Sequence, residues 1–316
     1  MDSTTFTPKK LLAPGISLLI LVLLAAFPLY GSSYNVVLLA AILMYIVLTV
    51  SWTMFSGPTG YMSLAPAAFF GVGIYTAAIL GKALPLLAVV AAGGLVSFIL
   101  ALLVGTVTLR LRGVYFAIFT FGLVVLIKEL LLFWEIVVTK TRGRFVVLES
   151  NTTIYYVMLG IFVALMLTAY FIRRSKFGLA LQSIGENEEA AAHTGVNVTL
   201  VKIITFAISA IFMGATGAIM ATRWTYVDPY VAFNPLFSFL PILMAIFGGM
   251  GQLYGPVIGA AIFAYPEELL LTKFPYYYML TFGIILVVVI LYLPNGLVGL
   301  IPRLWRRSSG GQHAST

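Results

Sequence analysis

The sequence contains no cysteine and only two histidines, His193 and His313. The missing cysteines exclude disulfide bonds, thiolate nucleophiles and cysteine-ligated metal sites. Two histidines far apart in the chain are too few for a histidine-based metal centre. We therefore expect no catalytic residues and no metal site.

Nucleotide-binding signatures are also missing. The glycine-rich stretches at 71–73 and 248–251 lie at the ends of apolar segments, and no G-x-x-x-x-G-K-[ST] motif is present. If ATP drives this protein, another chain has to bind it. We expect no cofactor in this chain.

Charged residues are scarce as well. They make up 9% of the 316 residues, against about 25% in soluble domains. Hydrophobic residues make up 61%, and the mean hydropathy is +1.08. This balance predicts an all-α fold, a polytopic transmembrane helical bundle. The formal net charge of +8 indicates the basic cytoplasmic surface of a membrane protein rather than a nucleic-acid-binding surface.

Apolar segments long enough, or nearly long enough, to cross a membrane recur along the chain. They lie at 11–31, 35–55, 62–80, 84–109, 114–134, 154–172, 201–221, 236–249, 255–271 and 277–293. The first lacks a small-residue cleavage site, so we expect it to be retained as a span. Three segments (62–80, 236–249 and 255–271) are short or rich in Gly and Pro. We therefore expect about eight to ten membrane segments, some of them broken or re-entrant.

The basic residues favour one orientation. With ten crossings and a cytoplasmic N-terminus, eleven Lys and Arg residues lie on the cytoplasmic side and six outside. The outer loop 135–153 carries three of those six. We expect both termini, the polar stretch 173–200 and the tail 303–316 to be cytoplasmic.

Two Gly- and Pro-containing stretches echo each other, 56–73 (SGPTGYMSLAPAAFFGVG) and 248–261 (GGMGQLYGPVIGAA). Paired interruptions of this kind predict inverted repeats around a midplane pathway, whereas ordinary close packing of helices is the alternative. The candidate pathway residues are Gly60, Ser63, Pro66, Ala67, Phe69, Gly249, Gly251 and Pro256. We expect bulky replacements there, such as Gly251→Leu, to stop transport.

A few charges fall within or beside apolar segments. Ionisable groups at membrane depth suggest a functional role. Lys128 and Glu129, however, lie in the last third of their segment, where a lysine side chain can reach the membrane surface, and this favours a structural ion pair or headgroup anchor. Glu267 and Glu268 follow a proline near a predicted outer end, where we expect an interfacial position. Asp228 precedes a proline, which predicts a turn.

The stretch 173–200 (RRSKFGLALQSIGENEEAAAHTGVNVTL) is the longest polar passage between Lys10 and Arg303. Its first part, from Gly178 to Ile184, predicts at best a short amphipathic helix. A second short helix should end at Gly195, because glycine adopts the left-handed conformation at a helix end. On the residues alone, a solvated connector and a docking element both remain open.

The residues EAAAHTG at 189–195 resemble the E-A-A-x-x-x-G motif of ABC-importer permeases. Around it stand GYMSLAPAAFFGVGIYTAAIL, LRGVYFAIFTFGLVVLIKELL, FGGMGQLYGPVIGAA and LPNGLVGLI. In this order they resemble the LivM-type permeases of branched-chain amino acid importers, over roughly 35–302. The chain departs from that pattern at Ala65-Pro66, where the family often has Gly-His or Gly-Gln, and it lacks the I-x-L-P ending of many such loops.

The resemblance implies a division of labour in a bacterial-type inner membrane. A LivM-like subunit pairs with a LivH-like second permease, two cytoplasmic ATPase subunits that bind ATP and Mg, and a periplasmic substrate-binding protein. The loop at 173–200 then couples the permease to the ATPase by rigid-body movement. The residues assigned to this coupling loop are Gly178, Ile184, Glu186, Glu189, Ala190, Ala191 and Gly195.

Alternatives to this interpretation differ in how well the residues support them. Relatives of similar sequence carry urea, short amides or other small amino acids, so the substrate is less secure than the transport machinery. A stand-alone secondary transporter needs intramembrane ionisable groups, for which only Lys128 and Glu129 qualify. A membrane enzyme needs convergent His, Asp or Cys residues, which are lacking. We therefore treat 1–316 as one non-catalytic permease domain.

Overall fold

A computed structural model describes residues 9–274 and, beyond them, Leu280, Gly283, Ile284 and Val287. Within that part of the chain, the helices are α1 (Lys9–Tyr30), α2 (Ser33–Thr59), α3 (Pro66–Leu80), α4 (Leu86–Thr108), α5 (Val114–Trp134), α6 (Asn151–Arg174), α7 (Lys176–Glu186), α8 (Glu188–His193), α9 (Val198–Ala221), α10 (Pro229–Ala232), α11 (Leu236–Gly248) and α12 (Tyr254–Lys273). A π-helix, Glu135–Thr139, extends α5. Strands β1 (Arg144–Phe145) and β2 (Tyr226–Val227) pair antiparallel.

The predicted polytopic helical bundle is confirmed. Among the described residues, six helical stretches are long and apolar enough to cross a membrane: α2, α4, α5 with its π-helix, α6, α9, and α10 to α11. The predicted segments at 11–31, 62–80 and 255–271 also form helices, although α3 has only 15 residues. The predicted segment 277–293 falls mostly outside the described residues.

Helices α2 and α9 form the centre of the bundle. In their apolar windows, 83% and 67% of the residues are buried, compared with 22% for α5. Glycines allow α3 and α4 to approach α9 closely. A Cβ on Gly73 would overlap the backbone of Gly214, and a Cβ on Gly217 would overlap the carbonyl of Phe70. Small residues therefore set the spacing of this three-helix seam.

The chain between α2 and α3 is not helical. Gly60 ends α2 with a φ of 71°, in the left-handed region that glycine adopts without strain. Polar side chains of α2, α5 and α11 then satisfy the backbone: Trp52 Nε1 donates to Ser63 O at 2.7 Å, Leu64 N donates to Thr120 Oγ1 at 2.9 Å, and Ser238 Oγ donates to Leu64 O at 2.9 Å. Irregular backbone between spans is tolerated when it is buried in protein with such partners.

Replacing Ser238 by alanine should destabilise this break. Its hydroxyl also accepts from Ala67 N at 2.9 Å, so the change leaves a buried donor and a buried acceptor without partners. We expect the free energy of unfolding in detergent to fall by about 1–3 kcal/mol. The matched control is Ser209→Ala, because the Ser209 hydroxyl donates only to Phe206 O in its own helix. Equal losses in the two variants would contradict the bridging role of Ser238.

A second break separates α11 from α12. Gly249 ends α11 with a φ of 94°. This break lies at the same end of the bundle as the first one, since a Cβ on Gly57 would be 3.6 Å from Met250 O. The pairing of 56–73 with 248–261 as an inverted repeat stays a prediction, because breaks near the midplane can be related by inversion and still lie close together.

Charged residues gather at both ends of the bundle. At the end that carries β1 and β2, Arg142 pairs with Asp228 at 3.7 Å and Arg223 pairs with Glu268 at 3.7 Å. Asp228 also caps α10 by accepting from Val231 N, which confirms the predicted turn. Lys128 contacts its neighbour Glu129 at 3.2 Å, as an ion pair requires.

Glu267 differs from its prediction. An interfacial position was expected, but the residue is 4% exposed and its Oε1 accepts from the Tyr45 hydroxyl at 3.1 Å. Tyr45 lies in the middle of α2, so the contact joins α12 to the centre of the bundle. The sequence shows the proline and the acidic pair, but not that α12 turns this side chain inward.

Candidate functional site

The polar stretch folds into a helix pair, α7 and α8, at the end of the bundle where α2 ends and α9 begins. Ser175 caps α7 by accepting from Gly178 N at 3.3 Å. Leu181 and Ile184 are buried, whereas Leu179 on the other face is 63% exposed. The helix is therefore amphipathic, and its inner face packs on the chain itself.

Helix α8 has a defined signal at each end. Asn187 Oδ1 accepts from Glu189 N and Ala190 N, both at 3.0 Å, which satisfies free donors of the first turn. At the other end, Gly195 has a φ of 87°, and Val196 N donates to Ala191 O at 3.2 Å. This is a Schellman ending, and it confirms that Gly195 ends the helix.

One carboxylate joins α8 to two other parts of the chain. Glu188 Oε1 accepts from Lys202 Nζ of α9 at 2.8 Å, and its Oε2 accepts from the hydroxyl of Tyr61 at 2.7 Å. Lys202 Nζ also donates to Tyr61 Oη at 3.0 Å and to Leu109 O at 3.3 Å. All three protons of the ammonium and both oxygens of the carboxylate therefore have partners.

Hydrogen bonds and nearby charges favour the charged form of Glu188 in spite of its partial burial. The Lys202 side chain is 3% exposed and the Glu188 side chain 22%. Burial alone would raise the pKa of Glu188, but hydrogen bonds from Lys202 and Tyr61, together with the charges of Lys202 and Arg112, outweigh it and lower the pKa. Burial and the neighbouring Glu188 raise the pKa of Tyr61, so its hydroxyl remains a donor.

The helix pair, together with the end of α6, lies close to both breaks. A Cβ on Gly185 would overlap the carbonyl of Pro58, so α7 lies directly against the end of α2, before the first break. Arg173, just before α7, donates from Nη2 to Gly251 O at 3.0 Å, in the second break. Both interruptions therefore lie next to the helix pair and the residue that precedes it.

A cleft opens between these elements. Its empty volume is about 760 Å³ including its open mouth. Residues of α2, α6 and α7 line it together with the second break, among them Pro58, Arg173, Gln182, Gly251 and Pro256. The cleft joins the helix pair to one of the two stretches predicted to lie near a pathway.

Comparison with known proteins identifies the family. The family described as "Branched-chain amino acid transport system / permease component" matches residues 34–290. This chain belongs to that family. No solved structure matches.

Two named relatives are similar over nearly the whole permease. LivM of Salmonella typhimurium, a high-affinity branched-chain amino acid transport system permease protein, is 26% identical over an alignment 338 residues long. The alignment covers 94% of this chain and 76% of LivM. LivM of Escherichia coli is also 26% identical, over 332 aligned residues with the same coverage. LivH of Escherichia coli is 28% identical over 140 residues, 44% of each chain.

The structure separates the predicted loop residues of the permease into two groups. Gly178, Ile184 and Ala191 are buried, whereas Glu186, Glu189, Ala190 and Gly195 are exposed. Glu189 is one of the residues that the resemblance assigns to the coupling loop. Its side chain is 78% exposed, and the one ion pair it forms within the described chain is with Arg112, at 3.7 Å. Exposed pairs of this kind contribute little, so Glu188 is the anchor within this chain.

The predicted pathway residues do not form one site in the permease. Ser63, Pro66 and Phe69 line a small pocket next to Trp52 and Phe206. Ala67 is fully buried beside them, whereas Gly60 is exposed at the end of α2.

The second group, Gly249, Gly251 and Pro256, lies at the break before α12, and the last two line the cleft. A Cβ on Gly251 has no neighbour within 4 Å. A clash of this atom therefore does not explain the loss of transport expected for Gly251→Leu. Gly248, Gly255 and Gly259 are the tight positions of this region.

The sequence-based prediction missed the four residues of the charge cluster: Tyr61, Arg112, Glu188 and Lys202. Lys202 could have been predicted to have an acidic or polar partner, because a lysine one turn inside an apolar helix needs one. Tyr61 and Glu188 are far apart in the sequence, and only the fold brings them together.

Proposed function

We propose that this permease is one of two membrane subunits of an ATP-driven importer for branched-chain or related hydrophobic amino acids in a bacterial inner membrane. The family match and the similarity to both LivM and LivH support this assignment. The second membrane subunit is LivH-like. A periplasmic binding protein delivers the amino acid to the end of the bundle that carries β1 and β2.

Two ATPase subunits bind ATP and Mg, and one of them docks on α7 and α8 from the cytoplasm. The observation that carries this proposal is the construction of the helix pair. Its inner face is anchored by Leu181, Ile184 and the Glu188 cluster, whereas Leu179 and Ala190 face outward. An exposed leucine among small residues can insert into a groove of a soluble partner, because the opposite face of the helix is fixed against the bundle. Both termini are then cytoplasmic.

Reconstitution in liposomes tests the assignment. With the second permease, the ATPases and the binding protein, we expect ATP-dependent uptake of labelled leucine, isoleucine or valine. The purified chain alone should hydrolyse no ATP above background, because its sequence contains no phosphate-binding loop. ATP turnover by the chain alone, or equal uptake without the ATPases, would contradict the proposal. A binding screen on the binding protein identifies the substrate.

A further inference from the structure

We propose that Tyr61, Glu188 and Lys202 form a latch that transmits movement of the docked helix pair into the break between α2 and α3. The inference rests on the proposed function, since it requires an ATPase that moves α8. It assigns to three positioning residues a role that the family match does not give them.

The latch joins three elements that are separate in the sequence. Glu188 begins α8, Lys202 lies in the first turns of α9, and Tyr61 is the first residue after the glycine that ends α2. The Tyr61 ring lies beneath the ammonium, 4.4 Å from Lys202 Nζ to the ring centroid. It also packs edge-on against Phe116 at 5.5 Å. Tyr61 is therefore held by its ring and, separately, by its hydroxyl.

The segment beyond Tyr61 is suited to transmit a displacement. Residues 61–65 are non-helical. No intrahelical hydrogen bond therefore resists a displacement of Tyr61 along this segment. Three residues after Tyr61, Leu64 is hydrogen-bonded to Thr120 of α5 and to Ser238 of α11, and Ser238 in turn accepts from Ala67 N at the start of α3. A shift of α8 that pulls the Tyr61 hydroxyl therefore reaches the contacts between α3, α5 and α11.

The Tyr61 hydroxyl can be removed while the ring contacts of this residue are kept. Tyr61→Phe retains the ring over Lys202 and against Phe116, but it removes the 2.7 Å bond to Glu188 and the 3.0 Å bond from Lys202 Nζ. Lys202 still pairs with Glu188 at 2.8 Å. Helix α8 therefore stays paired with α9 but loses its hydrogen bond to the break between α2 and α3.

The test uses the complete reconstituted complex. For Tyr61→Phe we expect the same amount of co-purified ATPase as for the unchanged chain. We also expect about a tenfold lower number of substrate molecules taken up per ATP hydrolysed, because the hydroxyl's hydrogen bonds with two charged groups are lost. This ratio separates positioning from stability, since a merely less stable protein lowers uptake and hydrolysis together. The matched control is Tyr156→Phe, whose hydroxyl bonds to Ala25 O far from the latch. It should keep the unchanged ratio.

A second pair of variants checks the same link from the other side. Glu188→Gln keeps the shape of the side chain but weakens the contacts with Tyr61 and Lys202, so the uptake ratio should fall as in Tyr61→Phe. Combined with Tyr61→Phe, it should add little further loss, because both variants remove one connection. Independent, additive losses would overturn the latch.

The outcomes also separate this inference from the proposed function. If the unchanged chain retains no ATPase, the proposed function fails. If the unchanged complex transports and Tyr61→Phe keeps the full ratio of uptake to hydrolysis, the latch is overturned while the function stands.

Discussion

Valine at Gly185 is expected to lower uptake at least about tenfold while the chain still reaches the membrane. A Cβ at this position would overlap the carbonyl oxygen of Pro58, a backbone atom that no rotamer change can move away. The helix α7 must therefore shift off the end of α2. Forced shifts of this kind cost about 1–3 kcal/mol, enough to displace a docking element while the buried core of the bundle remains intact. The measurement is uptake in liposomes, normalised to permease content.

The matched control for Gly185→Val is Gly122→Val. Gly122 is also helical and exposed, but a Cβ there has no neighbour within 4 Å. We expect this variant to retain uptake. If Gly185→Val retains it as well, the contact between α7 and α2 does not matter for transport.

Alanine at Gly217 is expected to destabilise the whole bundle. The new methyl group would overlap the carbonyl of Phe70, at the seam where α3 lies on α9. Both sides of this contact are helical backbone, so relief requires the two helices to separate. We expect the free energy of unfolding in detergent to fall by on the order of 3 kcal/mol, with a corresponding loss of protein in the membrane.

Gly160→Ala distinguishes this packing effect from a general effect of glycine substitution. Gly160 lies in α6, and a Cβ there has no neighbour within 4 Å. Alanine favours a helix over glycine by about 1 kcal/mol, so this variant should be unchanged or slightly more stable. A loss of stability in Gly160→Ala equal to that in Gly217→Ala would contradict the claim that close packing of α3 on α9 requires glycine at 217.

Local signals in the sequence predicted the features that depend on near neighbours. Apolar runs located the helices because a membrane span needs about twenty such residues. Gly195 was recognised as a helix end, and Asp228 as a turn residue, since both act within a few residues of their own position.

Features that depend on distant pairs were missed or misplaced. Glu267 is buried because Tyr45, more than two hundred residues earlier, donates to it. The exposed Glu189 belongs to the recognised motif, yet the neighbouring Glu188 is the residue that meets Lys202 and Tyr61. Which of two adjacent glutamates turns inward depends on the cap at Asn187 and on the packing of α8, and composition does not show either.

The direct test of the central claim, that α7 and α8 seat on an ATPase, uses the absence of native cysteine. Leu179→Cys places a single thiol on the exposed face of α7, and Phe145→Cys, at a residue 67% exposed, places one at the opposite end of the bundle. After each thiol is labelled with a photoreactive maleimide and the complex is irradiated, we predict a covalent product between permease and ATPase from position 179 and none from position 145. A product from position 145 alone, or from neither position, would contradict the account.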